Sequence, residues 1–97
     1  SSECHIDLTV NKSGEIACAL WIDNNKELYN KLYSNRESIE SELGYKVIWD
    51  YKENSKASSI SIACEIKVDF KSEDLSHGYQ WLLQKAEDFK RVFKKYL

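Results

Sequence analysis

The hydrophobic positions of the chain repeat one pattern twice: two strands with alternating apolar residues are followed by an amphipathic helix. The first pass has alternation over Cys4–Val10 and Glu15–Ile22, then a helix that precedes Gly44. The second pass has alternation over Tyr45–Tyr51 and Ser59–Val68, then a helix that ends the chain. Period two indicates strands with one buried face, and period 3.6 indicates helices. The sequence therefore predicts an α+β fold, a two-layer ββαββα domain whose four-stranded, mostly antiparallel sheet carries two helices on one face.

The turn Asn11–Gly14 between the first two strands determines which of their residues lie opposite each other. A type I turn followed by a left-handed glycine in a bulge suits this run, because glycine adopts positive φ at little steric cost. With the bulge, the apolar residues of both strands share one face; without it, apolar residues would oppose polar ones. The expected pairs are Val10 with Ile16, Leu8 with Cys18, Ile6 with Leu20, and Cys4 with Ile22.

Both helices carry boundary signals. The first is expected to begin with Asp23, Asn24 or Asn25 as its N-cap, because short polar side chains accept hydrogen bonds from the free amides there. Gly44 is expected to end it in the left-handed conformation. The second helix is expected to open near Ser72–Asp74. Its predicted core stripe is Leu75, Tyr79, Leu82, Ala86, Phe89, Phe93 and Leu97, with Trp81 and Val92 as a second apolar strip beside it.

The sheet face turned away from the helices is rich in small residues. Solvent-facing strands usually carry longer polar side chains, whereas Ala and Ser leave a shallow surface. We expect this outer face to contact either a second copy of the chain or another part of the same protein. A solvated face is the alternative, because scattered exposed apolar residues are normal. The predicted contact residues are Ala17, Ala19, Trp21, Ile48, Ser61 and Ala63.

The composition indicates one domain, spanning residues 1–97, with 42% hydrophobic and 31% charged residues. No apolar run approaches the length of a membrane span and no signal peptide opens the chain, so we expect a cytoplasmic protein without membrane contact. The chain contains no Met. We therefore expect it to be the C-terminal part of a longer protein with a further N-terminal region.

The three cysteines, Cys4, Cys18 and Cys64, all fall on the apolar side of a strand. Their number is odd and no C-x-x-C pair exists, so we expect buried free thiols in a reducing compartment. A metal site would need a histidine as well, but His5 points away from Cys4 on the same strand. We expect neither a metal nor a cofactor.

Four basic residues fill the last turns of the second helix, and they suggest an alternative function as a nucleic-acid-binding module. Phosphate contacts by basic residues, with stacking on Trp81, would give such binding. The helix dipole also favours cations at a C-terminus without any ligand. The net charge of −2 further disfavours a general phosphate-binding surface. These four residues are Lys90, Arg91, Lys94 and Lys95.

A second alternative is a metal-dependent nuclease-like site of the PD-(D/E)xK kind. Asp50, Glu65 and Lys67 supply an Asp followed by E-x-K, and strand alternation places all three on the outer face. Short motifs of this kind occur often by chance, and Lys46 is a plausible cross-strand partner for Glu65 in one register. We therefore expect no catalytic residues in this domain.

The chain contains a series of short, mostly apolar motifs: Leu28-Tyr29, Leu32-Tyr33, Ile39-Glu40, Leu43-Gly44, Val47-Ile48-Trp49, Lys56-Ala57-Ser58-Ser59-Ile60, Trp81-Leu82 and Phe89-Lys90-Arg91-Val92-Phe93. Over roughly residues 16–97 this series resembles a domain family of bacteria and archaea, domain of unknown function 4268. The resemblance implies an accessory domain at the C-terminal end of a larger cytoplasmic protein, in some cases behind nuclease-like or restriction-type regions. It supplies no catalytic residues, and the stretch Glu65–Gly78 has nothing distinctive of the family.

Overall fold

The computed structural model describes residues 4–11, 13–64 and 74–97, with side chains in the last segment described from residue 76 onward. Over these residues the fold is α+β, with a four-stranded antiparallel sheet and three helices. The elements are β1 (Cys4–Val10), β2 (Ile16–Ile22), α1 (Lys26–Ser34), α2 (Arg36–Leu43), β3 (Ile48–Asp50), β4 (Ser58–Ala63) and α3 (Asp74–Phe93). The strand order is β1-β2-β4-β3, which makes β1 and β3 the edge strands.

The register predicted for the first hairpin is confirmed. Val10 pairs with Ile16, and Cys4 pairs with Ile22, so all four apolar pairs form. Gly14 has φ 86°, the left-handed conformation expected for the bulge. The side-chain oxygen of Asn11 accepts hydrogen bonds from the amides of residues 13 and 15 at 3.0 Å each, which holds the turn closed.

The third strand is shorter than the sequence predicts. The strand expected over Tyr45–Tyr51 is observed only as β3, because the amide of Val47 donates to the carboxylate of Glu40 at 2.9 Å instead of to a strand. At the other end, Lys52 has φ 53°, which turns the chain away from the sheet. The strand expected over Ser59–Val68 is observed as β4, and residues 65–68 lie outside the described part of the chain.

The first predicted helix is two helices, α1 and α2, separated at Asn35. The amide of Asn35 bonds to the carbonyl of Leu32 at 3.0 Å, a tighter turn than the α-helix makes. Ser34 and Asn35 also donate side-chain hydrogen bonds to carbonyls four residues earlier, which is typical of residues that disfavour helix interiors. The outer boundaries follow the prediction: Asn25 caps α1, and Gly44 ends α2 with φ 87°.

The helices lie on one face of the sheet, as expected, but they number three: α1 and α3 contact the strands, and α2 packs against α1 and α3. The core stripe of α3 differs from the prediction because Val92 is fully buried, whereas Tyr79 is 53% exposed and Leu97 is 45% exposed. Leu97 lies beyond Phe93, the last residue of α3. The main core consists of Cys4, Cys18, Leu20, Ile22, Tyr29, Leu32, Ile39, Leu43, Ile60, Phe89, Val92 and Phe93.

The helix layer covers the central strands better than it covers β1. Ile16 on β2 is buried against Leu82 of α3. Leu8 and Val10 on β1 share that inner face by register, yet each is 42% exposed. Part of the apolar inner face of this edge strand therefore remains accessible to solvent.

Candidate interaction surface

The outer sheet face brings together all six residues predicted to contact a partner. The sheet register places them in three rows that cross the strands in the order β1, β2, β4, β3. The rows are His5, Trp21, Ser59 and Asp50; Asp7, Ala19, Ser61 and Ile48; and Thr9, Ala17 and Ala63.

The shape of this face, shallow at the centre and raised at the edges, follows from the positions of its small residues. The two central strands contribute Ala and Ser at five of their six positions in these rows, whereas the edge strands contribute longer side chains. Ile48, on the β3 edge, is 61% exposed and forms an apolar rim. We call this surface the outer trough; its floor is Ala17, Ala19, Ser61 and Ala63, and Ile48 and Trp21 border it.

The Trp21 end of the outer trough is polar at the β3 side. The ammonium of Lys52 lies 5.8 Å from the centre of the Trp21 ring and 2.9 Å from the carboxylate of Asp50. The hydrogen bond from Lys52 lowers the pKa of Asp50 below its ordinary value.

This geometry bears on the nuclease-like alternative. Asp50 lies on the outer face, as strand alternation predicts, and its described partner is Lys52. Glu65 and Lys67 lie outside the described residues. Among the residues that the structure does describe, no group of three His, Cys, Asp or Glu side chains could hold a metal ion.

The basic residues at the end of α3 divide into two pairs. Arg91 lies 3.5 Å from the carboxylate of Asp88, and Lys95 lies 2.5 Å from the carboxylate of Glu42 on α2. Lys90 and Lys94 are exposed and have no ion pair within the described part of the chain. Two of these cations therefore pair with carboxylates of the chain, and the other two form no ion pair with a described residue. Trp81 packs beside the Ile16 and Leu82 cluster, more than two turns before Lys90.

Glu42 is the residue that holds the end of the chain against α2. Its second carboxylate oxygen accepts a hydrogen bond from the hydroxyl of Tyr96 at 2.6 Å. The hydrogen bonds from Lys95 and Tyr96 lower the pKa of Glu42. This arrangement gives Lys95 an intramolecular role in addition to its place in the predicted basic cluster.

The cysteines are free thiols, as predicted. Cys4 and Cys18 are buried, and Cys64 is half-buried. Burial raises the pKa of Cys18 to about 11, so this thiol stays protonated at neutral pH. Full burial and the raised pKa both disfavour a reactive thiolate at Cys18.

Two polar residues, Asp88 and Lys26, make contacts that were not foreseen from the sequence. Asp88 is only 8% exposed and accepts hydrogen bonds from Tyr45 and Gln84 at 3.0 Å each. The ammonium of Lys26 donates to three backbone carbonyls, those of Tyr51, Lys52 and Ala57. Helix spacing did carry a signal for Asp88. Position 88 lies three residues after 85 and four before 92, so its carboxylate falls on the side of α3 that faces the protein. No local pattern marks Lys26.

Fold and surface together define the class of protein: a two-layer α+β domain with a small-residue trough on its uncovered sheet face. The sequence profile of the domain of unknown function family DUF4268 matches residues 1–97, and the chain belongs to that family. The motif resemblance covers roughly residues 16–97, and the profile match extends it to the N-terminal residues that include β1. Comparisons with curated proteins and with solved structures give no match. Within the described residues, no helix is long and apolar enough to cross a membrane.

Proposed function

We propose that this chain is a non-catalytic interaction domain that binds a second copy of itself through the outer trough. The observation that carries this proposal is the floor of small residues on the central strands, beside the exposed rim residue Ile48. Small side chains permit close approach of another surface, and burial of Ile48 and Trp21 would supply apolar contact area. We further propose that the pair forms within a larger cytoplasmic protein. An association with DNA-handling regions is implied by the family resemblance alone.

The central strands of the trough are complementary in shape to those of a second copy. Consider a two-fold axis in the interface plane, running along the row that contains Ala19 and Ser61. It would place Trp21 of one copy over Ala17 of the other, a large side chain over a small one. Residues on the axis meet their own copies, so Ile48 would lie against Ile48 at one end of the row and Asp7 against Asp7 at the other, a like-charge contact that weakens the dimer.

The size of the trough sets the expected strength of the dimer. Four strands spaced by about 4.8 Å make a face about 19 Å wide, and six or seven residues make it about 20 Å long, or roughly 400 Å² per copy. Stable interfaces bury about 800 Å² per partner. We therefore expect a weak dimer that forms at high protein concentration.

Analytical ultracentrifugation over a range of protein concentrations tests this proposal. Ala19→Arg and Ala63→Arg each place a long cation on the trough floor and are expected to shift the protein toward monomer, with unchanged circular dichroism. Ser41→Arg, at an exposed position of α2, is the matched control and should dimerise like the parent. A parent protein that stays monomeric throughout, or a dimer that both trough variants preserve, would refute the proposal.

Nucleic-acid binding is the second candidate, and the exposed pair Lys90 and Lys94 favours it. It is the weaker candidate because Arg91 and Lys95 already contact carboxylates of the same chain. Binding through these residues would fall steeply with salt, since phosphate contacts release counterions. An electrophoretic mobility shift at low salt would support nucleic-acid binding if the double variant Lys90→Glu with Lys94→Glu abolishes that shift. Absence of any shift would refute nucleic-acid binding.

A further inference from the structure

An apolar groove of about 420 Å³ lies between β1 and the last turns of α3, away from the outer trough. Its lining includes Cys4, Ile6 and Leu20 from the sheet, and Phe89, Phe93 and Leu97 from the helix side. Leu97 is 45% exposed and stands at the mouth of this groove. The β1 groove is therefore an accessible apolar recess that opens along an edge strand.

The strand that borders the β1 groove is a long edge. β1 has seven residues, and among the described strands only β2 pairs with it. Its inner face is wholly apolar, and Leu8 and Val10 continue the apolar row beyond the groove with 42% exposure each. Edge strands are ordinarily protected by shortness, proline or inward-pointing charge. The opposite edge, β3, has only three residues, whereas β1 has none of these protections.

Two cations flank the β1 groove on the helix side. Lys90 and Lys94, one helical turn apart, both line it, and no described carboxylate pairs with either. Their neighbours Arg91 and Lys95, by contrast, contact Asp88 and Glu42. An apolar recess with two unpaired ammonium groups at its rim is chemically complementary to an apolar ligand that carries carboxylates.

We propose that β1 accepts an extended acidic peptide segment of a protein partner as an additional strand. The backbone of the peptide pairs with the edge of β1 that no described strand occupies, the mode of recognition known as strand addition. Its inward-facing apolar side chains enter the β1 groove against Ile6 and Phe93, and inward-facing carboxylates reach Lys90 and Lys94. This binding goes beyond the proposed dimer and does not depend on it, because the edge and the outer trough are different surfaces.

Charge distinguishes this occupant from a second copy of the chain. The inward-facing residues of β1 are Cys4, Ile6, Leu8 and Val10, so a second β1 strand would bring no carboxylate to the lysines. Asp7, the one acidic residue of that strand, lies on the opposite face. Pairing of two β1 strands would therefore cover Lys90 and Lys94 without a counter-charge, which is unfavourable.

The probe that tests the proposal is a fluorescein-labelled octapeptide whose alternate, inward positions are Glu, Ile, Ile and Glu, with Thr at the others. Fluorescence anisotropy is expected to detect binding that weakens as salt is raised. The double variant Lys90→Glu with Lys94→Glu is expected to weaken it about tenfold. Leu97→Asp should also weaken it. The matched double variant Lys46→Glu with Lys56→Glu changes charge equally at exposed positions elsewhere and should bind like the parent.

Two further peptides, N-methylated on the odd or on the even backbone amides, separate strand addition from simple occupation of the groove. Each keeps all side chains but cannot pair with β1 through its methylated edge, so one of the two should lose binding. Equal binding by both methylated peptides, or no binding by the unmethylated peptide, overturns the proposal.

Other occupants would give different results. Lysine-dependent binding of an oligonucleotide without peptide binding overturns the proposal in favour of nucleic acid. If the Ala63→Arg variant still dimerises and the additional change Leu97→Asp abolishes that dimer, the groove binds a second copy and the proposal is overturned. Peptide binding by the monomeric Ala63→Arg variant is expected to equal that of the parent.

Discussion

The hydroxyl of Tyr45 donates a hydrogen bond to the carboxylate of Asp88 at 3.0 Å, and this contact joins the segment after Gly44 to α3. Asp88 is 8% exposed and also accepts a hydrogen bond from Gln84 at 3.0 Å. The ammonium of Lys85 lies 3.9 Å from the centre of the Tyr45 ring. A buried carboxylate needs such donors, because an unpaired buried charge is strongly destabilising.

The substitution Tyr45→Phe is expected to lower the free energy of unfolding by roughly 1–3 kcal/mol, because it leaves Asp88 with fewer donors. Urea unfolding followed by circular dichroism measures the change. Tyr79→Phe is the matched control, since Tyr79 is 53% exposed and should change stability little. Equal stability of the two variants would show that the Tyr45 contact contributes nothing.

The same contact predicts a loss of stability at alkaline pH. Burial and the hydrogen bond to Asp88 raise the pKa of Tyr45 above its ordinary value of 10.0. Because the folded-state pKa is the higher one, the stabilisation is fully present below pH 10 and is lost as the pH rises above it. Unfolding measured across this range should converge for the parent and Tyr45→Phe as the pH increases. Parallel curves would contradict the prediction.

Lys26 anchors the connection between β3 and β4 to the start of α1. Its ammonium donates to the carbonyl of Ala57 at 2.7 Å and to the carbonyl of Lys52 at 3.2 Å, as well as to that of Tyr51. Lys26→Met keeps the apolar stem but removes the donor, and should cost roughly 1–3 kcal/mol. Hydrogen exchange of the amides in residues 51–57 should become faster. Lys31→Met, at an exposed position of the same helix, should leave that exchange unchanged.

Gly44 ends α2 with φ 87°, and a Cβ built there would meet no atom within 4 Å. Gly44→Ala should therefore cost only the backbone strain of the left-handed conformation, about 1–2 kcal/mol. Gly44→Asn should cost less, since asparagine tolerates this conformation better. Thermal unfolding of both variants provides the comparison, and a larger loss for Asn than for Ala would refute the backbone explanation.

The cysteines should differ in reactivity. Cys18 is fully buried with a pKa raised to about 11, whereas Cys64 is half-buried. Alkylation by iodoacetamide at neutral pH, followed by mass spectrometry, should modify Cys64 first. Modification of Cys18 should require unfolding, and its rate should rise with urea. Early labelling of Cys18 in the native protein would contradict its burial.

The sequence by itself determined the features that depend on residues close together in the chain. The α+β class, the register of the first hairpin, and the helix boundaries at Asn25 and Gly44 follow from alternation, turn chemistry and capping. The break at Asn35 is equally local, and the adjacent Ser34 was a signal for it that the stronger apolar stripe concealed.

Only the tertiary structure decided which polar groups meet across the fold. Lys95 and Glu42 are 53 residues apart, and Tyr45 and Asp88 are 43 apart, so no periodicity relates the members of either pair. The contact with Glu42 pairs one cation of the basic cluster, Lys95, whereas Lys90 and Lys94 line the β1 groove. The order of the described strands likewise leaves β1 at an edge of the sheet, with Leu8 and Val10 exposed. Period two assigns a residue to a face of the sheet, but whether that face is covered depends on where a distant helix packs.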